Sequence, residues 1–228
     1  MTIGLIITAA GQGKRFGAPE GKVMTPLLGK PIIAHTLEQF INATEITQCI
    51  ITVASGQENS MTKVVSRVTV PFSVKVIVGG ELRQQSVQRG VAEMSNEINY
   101  VLVHDGARPV VKQRIINDLL AEKEHYSAVI PVIPVTDTIK VVDEENMVIK
   151  TPDRQTLRAV QTPQLFTVKC LKDAYQTDLQ QEYTDEAMLV EGQGVLVKTI
   201  PGDIQNIKLT YPKDLQALEI IKSNISSL

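Results

Sequence analysis

The feature that most constrains the fold is a regular alternation between short apolar, β-branched runs and longer amphipathic stretches. Six runs are predicted to be strands: residues 3–8, 49–54, 73–78, 100–104, 128–132 and 195–200. Several are apolar nearly throughout, which is typical of parallel strands covered on both faces. Helical stripes lie between them, such as the one formed by Val87, Val91 and Met94. The alternation predicts a three-layer α/β sandwich with a mostly parallel sheet, in one domain over residues 1–228.

One segment, at about residues 134–161, departs from this rhythm. Two stretches of alternating apolar and polar residues flank a polar turn at residues 143–146, a pattern that indicates a β-hairpin. An isolated hairpin is only marginally stable in water. We therefore expect this arm either to pack on its own domain or to pair with a second subunit.

Composition excludes several classes of function. The 228 residues carry a formal net charge of −2, so no global attraction draws the chain to nucleic acid or to an anionic membrane. Two distant cysteines in apolar surroundings are predicted to be buried free thiols, and three histidines without metal-binding spacing argue against a zinc site. The first apolar run is too short to span a bilayer, and no basic segment precedes it, so the cytoplasm is the expected location.

A glycine-rich loop follows the first predicted strand. The dinucleotide fingerprint GxGxxG fails because Phe16 occupies the third glycine position, and the P-loop spacing fails as well. What remains is Gly11 and Gly13 followed by three cations, Lys14, Arg15 and Lys22. Cations beside open backbone amides suit a triphosphate. Taken alone, the loop is explained equally well by a tight turn with solvated basic residues.

Two further motifs follow predicted strands. Gly79 and Gly80 precede a helix that carries Arg83 and Ser86, where the helix start can attract an anion or polar base edges; an ordinary capped turn is the alternative.

Asp105 directly follows the fourth predicted strand, a position suited to Mg²⁺ bridging phosphates. An ion pair between Asp105 and Arg108 that organises the loop is the alternative, and both can hold together. Residues 184–187 are interpreted as a helix N-cap with an acidic first turn, and Lys208 lies beyond the last strand at the edge of the expected site.

As an ordered set, these motifs resemble the 2-C-methyl-D-erythritol 4-phosphate cytidylyltransferase family of the non-mevalonate isoprenoid pathway. The resemblance covers nearly the whole chain, through residues 9–15, 29–31, 35–37, 79–83, 86–87, 103–105, 107–109, 134–140, 153–154, 161–164, 184–187 and 206–208. It implies a Rossmann-like, nucleotide-diphospho-sugar transferase-like fold with a protruding β-arm that joins a homodimer. It also implies CTP as co-substrate and Mg²⁺ as cofactor.

The resemblance assigns roles to individual residues. Arg15 and Lys22 would stabilise the transition state, and Arg154 on the arm would position the sugar-alcohol phosphate across the dimer interface. The other substrate-binding positions are Arg108, Thr138, Thr162 and Lys208. The nucleotide-binding positions are Ala9, Ala10, Gly11, Gly13, Gly79, Gly80, Arg83, Ser86 and Asp105, of which Asp105 is also the metal position.

The expected reaction is an in-line displacement at the α-phosphorus of CTP. The acceptor's phosphate oxygen attacks and pyrophosphate leaves, so the chemistry depends on positioning and charge stabilisation, without a general base. Two alternatives stay open. One is a ribitol-5-phosphate cytidylyltransferase making CDP-ribitol for teichoic acid, which shares the first loop and residues 161–164 and 206–208, although residues 104–109 and 137–140 favour the isoprenoid enzyme. The other is a non-catalytic nucleotide sensor with this fold.

Overall fold

A computed structural model of the chain describes residues 2–11, 13, 16–17, 21–176 and 182–226, with nothing stated of the side chain at 226. The strands and α-helices are, in chain order, β1 (Thr2–Ala9), β2 (Pro26–Leu27), β3 (Lys30–Pro31), α1 (Ile32–Glu38), β4 (Ile46–Val53), α2 (Glu58–Val65), β5 (Ser73–Val78), α3 (Arg83–Ala92), β6 (Ile98–Asp105), α4 (Gln113–Ala121), β7 (Ala128–Pro134), β8 (Val141–Val142), β9 (Val148–Lys150), β10 (Arg158–Val160), β11 (Gln164–Thr167), α5 (Val168–Tyr175), α6 (Glu186–Glu191), β12 (Val197–Pro201) and α7 (Lys213–Ser226). Short 3-10 turns lie at Lys22–Met24 and Arg154–Thr156.

The central sheet has eight strands, and β1 is one of its inner strands. It pairs in parallel with β4 on one side and with β6 on the other, and β4 pairs in parallel with β5. All six predicted strands are present, as β1, β4, β5, β6, β7 and β12. The prediction of an α/β fold with a mostly parallel sheet is confirmed.

The sheet contains two strands that the sequence did not predict: β10, which pairs antiparallel with β7 and comes from the segment expected to form the arm, and β11. Strand β11 lies antiparallel between β6 and β7, through the pairs Leu165 with Leu102 and Leu165 with Val129. It is only four residues long, and Leu165 and Phe166 are its apolar members, so it lacks the long β-branched run that marks the parallel strands. Its insertion separates β6 from β7.

Helices cover both faces of the sheet. Along β1, Leu5 and Ile7 pack in a cluster that includes α1, α4 and α7, whereas the intervening Ile6 packs in a second cluster with α3 and α5. Successive residues of a strand point to opposite faces, so burial of all three requires a layer on each side. This arrangement is the predicted three-layer sandwich. In the parts of the chain that are described, no helix combines the length and apolarity needed to cross a membrane.

The arm contains the predicted hairpin. Strands β8 and β9 pair antiparallel, and the Asp143 carboxylate accepts hydrogen bonds from the backbone N–H groups of Glu145 at 3.0 Å and Met147 at 2.9 Å. Asn146 takes the left-handed conformation (φ 62°) that Asn tolerates in turns. Apolar side chains on the arm, including Met147 and Ile149, are largely exposed in the single chain.

The carboxyl ends of the central strands meet at one edge of the sheet. Thr8 of β1 is opposite Asp105 of β6, Ala9 is opposite Val53 of β4, and Val53 is opposite Val78 of β5. The loops that follow β1, β5 and β6 are therefore neighbours in space. Open α/β sheets place ligands at this edge, where the strand order reverses.

Gly79 is needed where two of these loops touch. A Cβ at this position would lie 2.6 Å from Ser86 Oγ and 2.8 Å from Ala10 Cβ, closer than real side-chain contacts allow. We expect Gly79→Ala to lower the free energy of unfolding by about 1–3 kcal/mol, because the loops after β1 and β5 must move apart. Urea denaturation measures this loss.

The matched control is Gly192→Ala, where the nearest atom is 3.4 Å away and the φ of −59° suits any residue. This variant should stay within about 0.5 kcal/mol of the unsubstituted chain. Equal stability of the two variants would contradict the close approach.

Candidate functional site

A cleft lies at the carboxyl edge of β1, β5 and β6. Its volume is about 550 Å³, including space open to solvent. Its lining comes from the loops after these strands, from the 3-10 turn that begins at Lys22 and from the segment before α7. Among the residues predicted from sequence, it brings together Ala9, Ala10, Gly11, Lys22, Gly80, Arg83, Ser86, Asp105 and Lys208.

The loop after β5 is ordered by its own hydrogen bonds. The backbone N–H of Gly80 donates to Ser86 Oγ at 3.0 Å, and the backbone N–H of Leu82 donates to the side-chain oxygen of Gln85 at 3.1 Å. This is the capped helix start that the sequence allowed as an alternative reading. The capped loop also lines the cleft, so a capped helix start and a ligand-binding role are compatible at this loop.

Asp105 is the electrostatic centre of the site. Its carboxylate is buried and pairs with three cations: Arg83 Nε at 3.1 Å, Lys208 Nζ at 2.9 Å and Arg108 Nε at 3.4 Å. Burial opposes ionisation, but the three cations outweigh it and hold the pKa of Asp105 well below its usual range. The predicted Asp105–Arg108 pair is therefore present within a larger cluster.

The backbone explains how Lys208 reaches Asp105. The N–H of Leu209 donates to the carbonyl of Ala107 at 2.9 Å, which ties the chain before α7 to the loop after β6. The Asn206 side chain donates to the carbonyl of Thr162 at 2.8 Å. These bonds place the lysine against a carboxylate 103 residues earlier in the chain, a proximity that spacing alone does not reveal.

The cluster does not suit Asp105 as a magnesium ligand in this arrangement. Both of its oxygens already accept from cations, and a divalent ion would enter a group with three positive side chains around one carboxylate. Within the described ranges, no three His, Cys, Asp or Glu side chains are grouped so as to hold a metal ion. Magnesium also prefers few protein carboxylates and keeps substrate phosphates and waters as ligands.

Asp105 also lines a second cleft, of about 490 Å³. Arg83, Asp105 and Lys208 line both clefts, so they form a shared wall. The second cleft also contains Arg108 and Thr162. The Arg108 side chain is fixed by a 2.7 Å hydrogen bond from Nη1 to the carbonyl of Asn206. A ligand in either cleft can therefore contact the same cations, Arg83 and Lys208.

The hydroxyl of Thr162 has a fixed hydrogen-bond direction. Burial lowers the pKa of His104 to about 4, so its ring is neutral at pH 7. Nε2 lies 3.1 Å from the carbonyl of Arg108, which can only accept, so Nε2 carries the proton and Nδ1 is an acceptor. Thr162 must then donate to Nδ1, at 2.9 Å, while it accepts from the backbone N–H of Asp105 at 3.1 Å. Its free lone pair can accept from a ligand hydroxyl.

Not every predicted residue lies at the clefts. Thr138 and Arg154 are exposed on the arm and line neither cleft, and Arg154 Nη1 donates to the carbonyl of Thr136 at 3.0 Å. Arg15 lies outside the described residues. Gly13 (φ 59°) backs the stem of Lys22, and Gly79 lies behind the cleft against Ser86 and Ala10.

Sequence reasoning missed Glu186. It was interpreted as an acidic first-turn residue of a capped helix, and the cap is confirmed, since Asp185 accepts from the backbone N–H of Met188 at 2.9 Å. The Glu186 carboxylate itself is buried and binds Arg83 Nη1 at 2.5 Å. Burial raises the pKa of Glu186, and the guanidinium of Arg83 opposes that rise. Only the neighbouring apolar residues Ala187, Leu189 and Val190 hint that this helix start is buried.

The buried neutral His104 predicts a pH-dependent stability. Its folded-state pKa of about 4 is below the ordinary 6.5, so the unfolded chain takes up a proton first as the pH falls. The free energy of unfolding should therefore decrease between about pH 6.5 and pH 4, at up to roughly 1.4 kcal/mol per pH unit from this residue. The stability that is lost when Asp105 becomes protonated is lost at lower pH, because the pKa of Asp105 is well below 3.8.

The measurement is urea denaturation at several pH values for the unsubstituted chain and for His104→Asn. The variant keeps a polar side chain but does not titrate, and every other group is shared, so its slope against pH should be smaller in this window. Parallel slopes would show that folding does not lower the pKa of His104.

The chain is similar to known proteins over nearly its whole length. The family model described as "IspD: 2-C-methyl-D-erythritol 4-phosphate cytidylyltransferase" matches residues 3–224. A protein of that name from Alkaliphilus metalliredigens (strain QYMF) is 42% identical over 214 residues, which are 92% of this chain and 89% of the relative. Another from Bacillus mycoides (strain KBAB4) is 41% identical over 217 residues, 94% of this chain and 95% of the relative.

A solved structure supports the fold in particular. The 4-diphosphocytidyl-2C-methyl-D-erythritol synthase of Anaerococcus prevotii DSM 20548 superposes with a TM-score of 0.83, covering 97% of this chain and 98% of the other at 24% identity. The resemblance inferred from the ordered motifs is confirmed, and the Alkaliphilus and Bacillus relatives both carry the methylerythritol name, not a ribitol name. The chain belongs to the 2-C-methyl-D-erythritol 4-phosphate cytidylyltransferase family.

Proposed function

We propose that this chain transfers CMP from CTP to 2-C-methyl-D-erythritol 4-phosphate and releases pyrophosphate. The observation that carries the proposal is the shared wall of Arg83, Asp105 and Lys208 between two clefts. A transfer between two anionic substrates requires two adjacent sites, and cations that line both sites can lower the repulsion between the substrates. Membership of the family supplies the identities of the two substrates.

The first cleft is assigned to CTP. The backbone of residues 9–11 and of Gly80 lines it, and glycine lets a backbone approach a ligand closely. Ser86 and Arg83 lie at the start of α3, where polar groups can meet the base or the ribose. Lys22 lies on the other side of the cleft, suited to the triphosphate.

The second cleft is assigned to the acceptor. Arg108 and Lys208 offer positive charge to its phosphate, and Thr162 can accept from one of its hydroxyl groups. Because the acceptor phosphate is ionised at neutral pH, its oxygen attacks the α-phosphorus of CTP without a general base. The bond to the β-phosphate oxygen breaks as the new P–O bond forms, and pyrophosphate leaves.

Charge stabilisation is the main catalytic contribution in this proposal. Lys22 and Arg15 would neutralise the phosphoryl oxygens as negative charge accumulates in the transition state, a role taken from the family resemblance. Preorganised donors of this kind typically make the largest single contribution to such reactions. Magnesium is proposed to arrive bound to the triphosphate, since Asp105 is already occupied by cations.

The arm is proposed to act across a homodimer. Thr138 and Arg154 are exposed in one chain and line neither of its clefts, which supports a role at the acceptor site of a second subunit. The exposed apolar side chains of the hairpin support the same assignment, because a partner surface would bury them. A cytoplasmic location is proposed as well, supported by free Cys49 and Cys170, which suit a reducing compartment.

The proposed function is tested by pyrophosphate release from CTP with three acceptor conditions: methylerythritol phosphate, ribitol 5-phosphate and no acceptor. Release with the first alone is expected. Preference for ribitol phosphate would favour teichoic acid synthesis instead. CTP binding without pyrophosphate release under any condition would identify a nucleotide sensor.

Replacing Lys22 tests the nucleotide side. We expect Lys22→Ala to lower kcat by about 10²–10³, the usual effect of removing one preorganised charge-stabilising donor. Pyrophosphate release at saturating substrates measures it. The matched control is Lys30→Ala, since Lys30 pairs with Glu38 and does not line the cleft, so its kcat should be normal. Normal turnover in Lys22→Ala would remove this lysine from the mechanism.

Replacing Arg154 tests the arm. Loss of one charged phosphate contact should raise the KM for methylerythritol phosphate at least about tenfold, with the KM for CTP nearly unchanged. Steady-state kinetics with each substrate varied in turn separates the two values. Arg114→Ala, at an exposed position of α4, serves as the control for loss of a surface arginine. An unchanged acceptor KM would show that the arm does not reach the acceptor.

A further inference from the structure

Glu186 is a buried carboxylate that the catalytic proposal does not use. It is 1% exposed and lies in the first turn of α6. Its two oxygens have different donors: Arg83 Nη1 at 2.5 Å from Oε2, and the Tyr175 hydroxyl at 3.4 Å from Oε1. Glu186 thus links α6 to α3 and α5, and it is not among the residues that line the two clefts.

Arg83 connects Glu186 to the other residues of the shared wall, Asp105 and Lys208. While Nη1 donates to Glu186, Nε donates to Asp105 Oδ1 at 3.1 Å. Asp105 Oδ2 in turn accepts from Arg108 and Lys208. The guanidinium is planar and its donors are fixed relative to one another, so holding one edge determines the direction of the others.

Stability alone does not account for this chain of charges. Removing charged groups from water costs free energy that their attraction often fails to recover, and apolar replacements of buried ion pairs are frequently neutral or stabilising. Arg83 Nη2 is also buried with no hydrogen-bond partner among the described residues, which adds to the cost. Leu189 and Val190 already anchor α6 through apolar packing.

Without Glu186, Arg83 would have one carboxylate to bind. The guanidinium could then turn to pair with both oxygens of Asp105, which would compete with Arg108 and Lys208 for Oδ2. It could also turn toward a phosphate in a non-productive direction. Either movement changes the positions of the charges that face the substrates.

We propose that Glu186 is a positioning residue that holds Arg83 in the orientation in which it pairs with Asp105. Through Asp105, this orientation also fixes the other two cations, Arg108 and Lys208. The inference rests on the proposed function for its substrates. It assigns to Glu186 no contact with CTP or with the acceptor, so its effect must pass through Arg83.

A double-mutant cycle tests this route. CTP affinity, measured by calorimetry with Mg²⁺ present, and kcat/KM for pyrophosphate release are determined for four proteins: the unsubstituted chain, Glu186→Gln, Arg83→Gln and the double variant. Glu186→Gln alone should lower kcat/KM at least about tenfold and weaken CTP binding. In the Arg83→Gln background, the same substitution should change either quantity less than about twofold.

Two controls separate positioning from folding. Leu189→Val loosens the packing of the same helix without touching Arg83, and Glu45→Gln removes an ion pair of 2.8 Å with Lys123 at a distance from the clefts. Both should keep normal CTP affinity and kcat/KM. Thermal unfolding of each variant confirms that assays are run on folded protein.

A negative result for Glu186 can be distinguished from failure of the proposed reaction. Normal kinetics and CTP affinity in Glu186→Gln, or multiplicative effects of the two substitutions, would overturn the role of Glu186 while leaving the reaction intact. If the unsubstituted chain binds CTP but releases no pyrophosphate, the reaction fails and the affinity cycle still decides the role of Glu186. Absence of CTP binding by the unsubstituted chain would overturn both.

Discussion

The site depends on one buried carboxylate that holds three cations at the end of a central strand. Asp105 fixes Arg83, Arg108 and Lys208 within 3.4 Å of its oxygens, although these residues come from α3, the loop after β6 and the segment before α7. In the absence of an anionic ligand, cations gathered this closely would repel one another. The carboxylate offsets that repulsion and leaves a net positive charge for phosphates, so the polarity of both clefts follows from this interaction.

The parallel sheet determines where this interaction can occur. Strands β1, β5 and β6 end at the same edge, and their loops supply backbone groups and glycines on one side of Asp105. The antiparallel strand β11 then places Thr162, which precedes it, on the other side. Gly11 and Gly80 are among the residues that line the first cleft, whereas Arg108 and Thr162 are among those that line the second. This difference matches a nucleotide polyphosphate on one side and a small polyhydroxylated phosphate on the other.

Local patterns in the sequence predicted the strands and the hairpin, which depend mainly on interactions between residues close in the chain. Apolar β-branched runs located six strands, and alternation around a polar turn located the hairpin whose Asp143 and Asn146 shape the tight turn. Strand β11 was missed because four residues with two apolar members carry little periodic signal. Glu186 was missed because its ion-pair partner, Arg83, lies 103 residues earlier in the chain, and only the packing of α6 against α3 and α5 shows that it is buried. The arm residues Thr138 and Arg154 were assigned by resemblance, and their exposure in one chain leaves that assignment to experiment.

A crystal structure of the protein with CTP and Mg²⁺ would test this arrangement most directly. We expect the base and ribose to lie against residues 79–86 and the triphosphate to lie between residues 9–13 and Lys22. We also expect Asp105 to remain paired with Arg83 and Lys208 to face the α-phosphate. A nucleotide bound away from this edge of the sheet, or Lys22 and Lys208 directed into solvent with CTP in place, would contradict it.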